Sequence, residues 1–172
     1  RDKEKFKDNS KFLKNIQLSY KIEKVNKFHY ARASQMTLKT NQFNFTSNRY
    51  SVNDLKKFIQ DKNNLSFILR VKDKYGDHGY VSLIMLSKIY KNIYVINNFL
   101  TSCRILGRDV ELIFLKNIIK KLKKRKCKVF LEYKLSKRNN LVLNFIKKNN
   151  FKRSKGVEIK NTKIRNKIIY KL

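Results

Sequence analysis

The chain has 172 residues, with 43 Lys and Arg against 12 Asp and Glu and a formal net charge of +31. That length fits one domain with a conventional core. No apolar run approaches the roughly 20 residues that span a bilayer, and the charged amino end has no apolar signal-peptide core, so a cytoplasmic protein making no membrane contact is expected.

Two cysteines, Cys103 and Cys127, exclude a disulfide framework, and with two histidines there is no metal-ligand spacing, so no metal is expected. The positive charge points first to nucleic acid. Lysine outnumbers arginine, Asn and Ile are abundant and Pro is absent, a composition that A/T-rich codons would impose on any solvated surface. The lysines are spread along the chain with no nucleic-acid motif beside them, so a basic nucleic-acid-binding domain ranks as the last alternative. Acidic partners, including phosphorylated carriers, fit the charge.

The chain starts at Arg1, and residues 1–16 read as a helical arm or linker from an upstream domain, with a single domain over 17–172. Leu18, Tyr20 and Ile22 alternate with polar residues and predict a first strand ending near Val25. Phe28 to Lys39 reads as helical. Thr40 to Ser47 is too polar for a core element and is predicted as a loop. Ser51 and Asp54 form a capping box for a helix carrying Leu55, Phe58 and Ile59 on one face. Leu65–Val71 and Tyr80–Leu86 are predicted strands joined by the turn from Lys74 to Gly79.

Ile93–Leu100 is a further strand, broken at Leu106-Gly107 before a helix that runs to about Lys124. On that helix Leu115, Ile118, Ile119 and Leu122 share one face and lysines the other, as expected of a helix laid on a sheet. Val129–Tyr133 is a strand, Leu141–Lys148 a helix, and Val157–Ile159 and Lys167–Leu172 are closing strands. The order β-α-α-β-β-β-α-β-α-β-β implies a mixed sheet with helices on both faces.

That order, with the turn Arg104-Ile105-Leu106-Gly107-Arg108-Asp109 before the long helix, resembles the GNAT acyltransferases. The turn matches two of the three marked positions of their pyrophosphate-binding signature, where N–H groups at a helix N-terminus face an anion. A wider match lies in Ala31 to Tyr50, which includes Ser34-Gln35, the run from Lys39 to Asn44, and Arg49-Tyr50. With Gly76 to Gly79, Phe99 to Gly107, Asn139 and Phe151, it resembles the C-terminal domain of FkbH-like proteins over roughly residues 20–155.

The resemblance implies an α/β GNAT-like mixed central sheet and a site for coenzyme A or phosphopantetheine at Arg104, Leu106, Gly107, Arg108, Asp109 and Val110. It also implies a phosphatase-like upstream domain of the haloacid dehalogenase superfamily in the same chain, and an acyl carrier protein that receives a glyceryl or related acyl unit. Asn41, Gln42, Asn44 and Asn139 are the expected substrate contacts.

Cys103 is a candidate nucleophile at a strand end beside a helix N-terminus and two arginines, against a packing role. His78 is a candidate acid or base, against a turn-stabilising hydrogen bond through Asp77. Asp109 sets a carboxylate where the signature has a small residue; it either repels the anion or caps the helix. Ile146 stands where GNAT enzymes commonly place a tyrosine acid, and Asn97 where FkbH-like relatives carry a carboxylate. Both point to an altered acyltransferase or to a non-catalytic module that binds a carrier or another domain.

Overall fold

The computed structural model describes residues 15–154 and 168–172. The expected arm over residues 1–16 falls outside them except at Asn15 and Ile16, as does the strand expected at Val157–Ile159. Ile16 is buried, and its carbonyl accepts the Lys74 N–H at 2.8 Å.

The strands are β1 (Ser19–Lys24), β2 (Asn64–Asp73), β3 (Gly76–Tyr90), β4 (Ile93–Thr101), β5 (Lys128–Tyr133), β6 (Lys152–Arg153) and β7 (Ile168–Lys171). They form one seven-stranded sheet in the order β1-β2-β3-β4-β5-β7-β6. Neighbours are antiparallel except β4 and β5, which run parallel across the crossover helix. The helices are α1 (Tyr30–Lys39), α2 (Val52–Gln60), α3 (Val110–Lys123) and α4 (Asn140–Lys148). The expected mixed sheet, with helices on both faces, is therefore the one observed. The two-residue strand β6 has too little sequence to carry a period and was not foreseen.

Local chemistry accounts for the boundaries. Ser51 and Asp54 make the reciprocal capping box that starts α2. Asn26 and His29 make a second one ahead of a 3-10 turn over Lys27–His29, so α1 begins at Tyr30 rather than at Phe28. One face of the sheet packs Ile84, Leu86, Ile96, Phe99 and Leu131 under Phe114, Leu115, Ile118 and Leu122 of α3 and Val142, Phe145 and Ile146 of α4. The other packs Ile68, Leu83, Met85 and Leu100 under Ala33 and Met36 of α1 and Leu55 of α2.

Two expectations about loops need correction. Thr40 to Ser47 is not a surface loop: Phe43, Asn44, Phe45 and Thr46 are all buried. Its amides conceal two core phenylalanines whose polar neighbours bond the backbone. The β2–β3 turn is only Lys74-Tyr75, because Asp73 already pairs with Gly76 and Asp77, His78 and Gly79 belong to β3. The Asp73 carboxylate accepts the Tyr75 N–H, and Gly76 takes the positive φ (+134°) that closes the turn.

The hairpin is clamped by Arg70 on Asp77, which also accepts the Gly79 N–H. The Arg70 hydrogen bond is the largest cause holding the Asp77 carboxyl down at about 2, against a usual value near 3.9. A depressed carboxylate stabilises the fold above its unfolded pKa, and that contribution is lost as pH falls toward its folded pKa. Wild type should therefore lose more stability than Asp77→Asn between about pH 4 and pH 2. Urea titrations of both proteins across that range would check it, and parallel curves would show that the clamp carries nothing.

Candidate functional site

Parallel pairing of β4 with β5 covers only Ile93–Ile96 against Lys128–Leu131. Just past it β4 bulges. Met85 pairs with Asn98 and Leu86 with Ile96, which leaves Asn97 as the extra residue. The two strands then diverge, and the segment Phe43–Phe45 enters the gap. Asn44 bridges Leu100, Phe45 N–H donates to Phe99 O and Thr101 N–H to Phe43 O, both at 3.0 Å. On the β5 side Lys134 N–H donates to Phe45 O at 2.8 Å.

Asn139 locks this insertion. Its Nδ2 donates to Asn44 O at 3.2 Å and to Lys134 O at 2.9 Å, and its Oδ1 accepts the Ser136 N–H. Asn44 donates to Thr40 O and accepts the Ser47 N–H, while Asn41 accepts from Arg49. Of the expected substrate contacts, Asn44 and Asn139 are therefore buried braces, because each satisfies a backbone group inside the sheet gap. Gln42 alone of the four is exposed.

Beside the gap, a groove of about 290 Å³ lies between the start of α3 and α4. Its apolar wall is Phe43, Leu106, Leu112, Leu141 and Phe145, and its rim holds Gly107, Asp109, Glu111 and Lys148. Gly107 adopts φ +85°, which turns the chain into α3. Val110 is buried in the core beneath it.

Asp109 begins α3 at φ +51° without a side-chain cap hydrogen bond, so it complements the helix N-terminus by its charge rather than by capping it. Its Oδ1 lies 3.5 Å from Lys148 Nζ. Glu111 is buried two residues on, and its Oε2 has no hydrogen-bond partner among the described residues. Burial pushes its carboxyl above the usual range and Asp109 adds to that; its own backbone N–H and Lys148 oppose. The groove rim is thus acidic where the resemblance led us to expect a cradle for pyrophosphate.

Neither expected arginine lines that groove. Arg108 bonds Asp73, whose carboxylate is wholly buried, and its Nη1 is 3.0 Å from His78 Nε2. His78 is the extra residue of a β3 bulge and pairs with Asp73 at 2.9 Å, so the expected partner Asp77 is replaced by the residue five positions earlier. Burial pushes the Asp73 carboxyl up, but His78, the Tyr75 N–H and Arg108 together carry it below its ordinary value. Arg104 turns toward α1, where it shares a second cavity with Cys103. The histidines bond Asp73 and Tyr80, so Cys103 has no histidine base among the described residues.

Two residues absent from the sequence reading sit at the divergence. Tyr133, on the α3 and α4 face, is buried against Phe45 and its hydroxyl has no partner among the described residues. Burial raises this phenol, and Tyr170 adds to it. Glu132, buried on the opposite face by strand alternation, lies near Tyr50. Burial raises Tyr50; the Asn48 hydrogen bond opposes, and Glu132 and Asp54 reinforce. A polar residue inside a strand otherwise apolar was the available signal for both. Beside them Thr46 Oγ1 donates to Asn98 Oδ1 and Asn98 Nδ2 to Asn48 O, each at 3.3 Å.

Among the described residues no group of three or more His, Cys, Asp or Glu is placed to hold a metal, and no helix is long and apolar enough to cross a membrane.

No protein-family model and no curated protein matches the chain. Solved structures do. The ribosomal-protein-S18-alanine N-acetyltransferase of Escherichia coli superposes with a TM-score of 0.64 at 13% identity, over 90% of this chain and 93% of its own. A GNAT-family acetyltransferase from Staphylococcus aureus Mu50 gives 0.64 at 11% identity over 88% and 98%. The IAA acetyltransferase of Bacillus cereus gives 0.59 at 13% over 90% and 100%. The fold of this chain is the GNAT acetyltransferase fold.

The packing of the inserted segment can be tested directly. Phe45 is fully buried and stacks on Phe99 at 5.1 Å. Phe45→Ala should destabilise the chain by about 3–5 kcal/mol, the range for emptying a buried phenylalanine site. A urea-unfolding free energy lowered by less than about 1 kcal/mol would show that the segment leaves the gap at little cost.

Proposed function

We propose that this domain is an acyltransferase of the GNAT kind that takes its acyl group as a thioester on a pantetheine arm, lodged in the groove between α3 and α4. The observation that carries the reading is the divergence of β4 from β5 at the Asn97 bulge, beside an apolar groove that opens at the Gly107 turn. A pantetheine arm is narrow, largely apolar and bears two amides, so it suits Leu112, Leu141 and Phe145 along its length, and at its inner end it meets the strand-edge groups that Phe43–Phe45 now holds.

The acidic rim bears on which carrier brings the arm. Coenzyme A presents a pyrophosphate to Asp109 and Glu111, whereas an arm held by an acyl carrier protein presents a single phosphodiester. Carrier delivery therefore meets less repulsion. It also agrees with the likeness of residues 31–50 to FkbH-like proteins, and on that basis a glyceryl or related acyl unit, an upstream phosphatase-like domain and a cytoplasmic setting belong to the same proposal.

The chemistry is acyl transfer. An acceptor nucleophile attacks the thioester carbonyl and loses its proton, the C–S bond breaks, and the departing thiolate takes a proton. With isoleucine at position 146 and asparagine at 97, the titratable groups nearest the divergence are Tyr133 and Glu132. Tyr133, held protonated by burial, is the proposed proton donor to the thiolate; Glu132, on the other face of β5, is the proposed acceptor of the nucleophile's proton.

A second reading, a non-catalytic module that binds a carrier or another domain, is favoured by Phe43–Phe45 filling the gap. Calorimetry and turnover separate the two. Asp109→Gly removes a negative charge where the backbone already suits glycine, so coenzyme A affinity should rise about tenfold, or ~1.4 kcal/mol. Unchanged or weaker binding would remove the phosphate from this turn. Thioester hydrolysis or transfer that Tyr133→Phe lowers in kcat but not in KM supports the enzyme; carrier binding with no turnover supports the module.

A further inference from the structure

Arg104 and Cys103, assigned by resemblance and by residue type to the donor site, lie instead in a separate cavity of about 370 Å³ between α1 and the 3-10 turn after β4. Arg32, Gln35, Met36, Lys39 and Thr40 supply the α1 wall; Ser102, Cys103 and Arg104 supply the other. Three cationic side chains thus converge on one cavity, and among the described residues no acidic side chain lines it.

Like charges gathered in this way are unfavourable unless something negative joins them. Arg32 is held in place by its own bonds, Nε and Nη2 donating to Tyr80 O at 3.2 and 2.8 Å, and Nη1 to Gln35. Burial lowers its pKa, and the charge of Arg104 lowers it further, so the two guanidinium groups act on one another. Arg104 and Lys39 make no hydrogen bond or ion pair among the described residues. The carbonyls at the end of α1, which would oppose an anion, are already occupied: Thr37 O and Thr40 O accept from Arg49, and Met36 O accepts the Thr40 N–H.

We propose that this cavity is an anion site for a phosphate- or carboxylate-bearing ligand, with Arg104 and Lys39 as the mobile cations that close on it, Arg32 as the fixed one, and the Cys103 thiol at its edge. The site is distinct from the α3–α4 groove, whose rim is acidic, and does not depend on what that groove binds. Its position beyond the end of β4, against α1, leaves the ligand's uncharged part free to extend along the Ser102–Arg104 turn.

Cys103 is exposed and serves as a built-in reporter. Cys127, set among Arg125, Lys126 and Lys128, is the internal control for the general positive surface. Alkylation is followed at each cysteine by peptide mass spectrometry, with anionic iodoacetate and neutral iodoacetamide, at constant ionic strength so that screening does not change. The ratio of the iodoacetate to the iodoacetamide rate should be about tenfold higher at Cys103 than at Cys127, because convergent cations concentrate the anionic reagent locally.

Inorganic phosphate should slow the reaction at Cys103 and leave Cys127 alone. Arg104→Gln and Lys39→Gln, neither of which removes a contact of the fold, should each lower the ratio at Cys103 toward that of Cys127. Protection by phosphate well below the concentration at which acetate acts assigns a phosphate ligand, and the reverse a carboxylate. Equal ratios at the two cysteines, equal protection of both, or a ratio that survives both substitutions would overturn the site and leave only a lysine-rich surface.

Discussion

Backbone groups on the diverging edges of β4 and β5 have to be satisfied, and the site is organised by that requirement. A buried N–H or C=O left without a partner costs on the order of 1–3 kcal/mol, so a gap inside a sheet does not stay empty. Here the chain fills it with Phe43–Phe45, which bonds to β4 at Phe99 and Thr101 and to the end of β5 at Lys134. The aromatic side chains that come with the segment then determine the packing. Phe43 meets Phe145 of α4 edge to face at 5.2 Å, and Phe45 stacks on Phe99. Phe43 is consequently both core and groove wall, and the inner end of the groove is set by a residue some sixty positions before the Gly107 turn in sequence. Any amide-bearing arm that reached the divergence would compete for the same strand-edge groups that the segment holds.

The electrostatics show why net charge is a poor guide to a site. A chain of +31 presents acid at its groove rim, through Asp109 and Glu111, because a buried carboxylate elsewhere has first claim on the nearby cation. Asp73 is wholly enclosed, and an ionised group so enclosed must be paired. Arg108 and His78 pair it, which ties the β2–β3 hairpin to the loop before α3 and turns Arg108 away from the groove. One loop therefore sends Arg104 to α1 and Arg108 to the hairpin, and sets Asp109 at the start of α3 beside Lys148.

Elements governed by local rules were legible in the sequence. The lysine-and-isoleucine period of α3, the Ser51 and Asp54 box of α2 and the glycines of the hairpin each place their element within a few residues, since all depend on neighbours close in sequence. Legibility ended where a long-range contact overrode local character. Asn41 to Asn44 looks like a solvated loop, yet Phe43 and Phe45 are core because Phe99, Thr101 and Lys134, far along the chain, bond their backbone and Asn139 bonds that of Asn44 between them. His78 and Asp77 are adjacent and invite pairing, but the bulge at His78 places them differently, so that histidine meets Asp73 and Asp77 meets Arg70. Tyr133 and Glu132 were hidden as ordinary strand residues because only the third dimension shows that β4 has left them.

The same loop separates what the fold requires of the backbone from what it leaves open to the side chains. At 11–13% identity to the acetyltransferases it superposes on, this chain has a bulge in β4, a parallel pair that stops short, and a left-handed glycine before α3. None of these constrains which side chain follows Gly107. Position 109 accepts a carboxylate at φ +51° because aspartate tolerates the left-handed region better than most residues, and the helix dipole behind it favours a negative group there. A fixed carboxylate at that end of α3 satisfies the dipole from within the chain and so weakens the attraction that would otherwise draw an external anion. Of the two arginines of that loop, Arg108 is paired by Asp73, and Arg104 lies on the far side of the loop in a cavity that no carboxylate of the described residues lines.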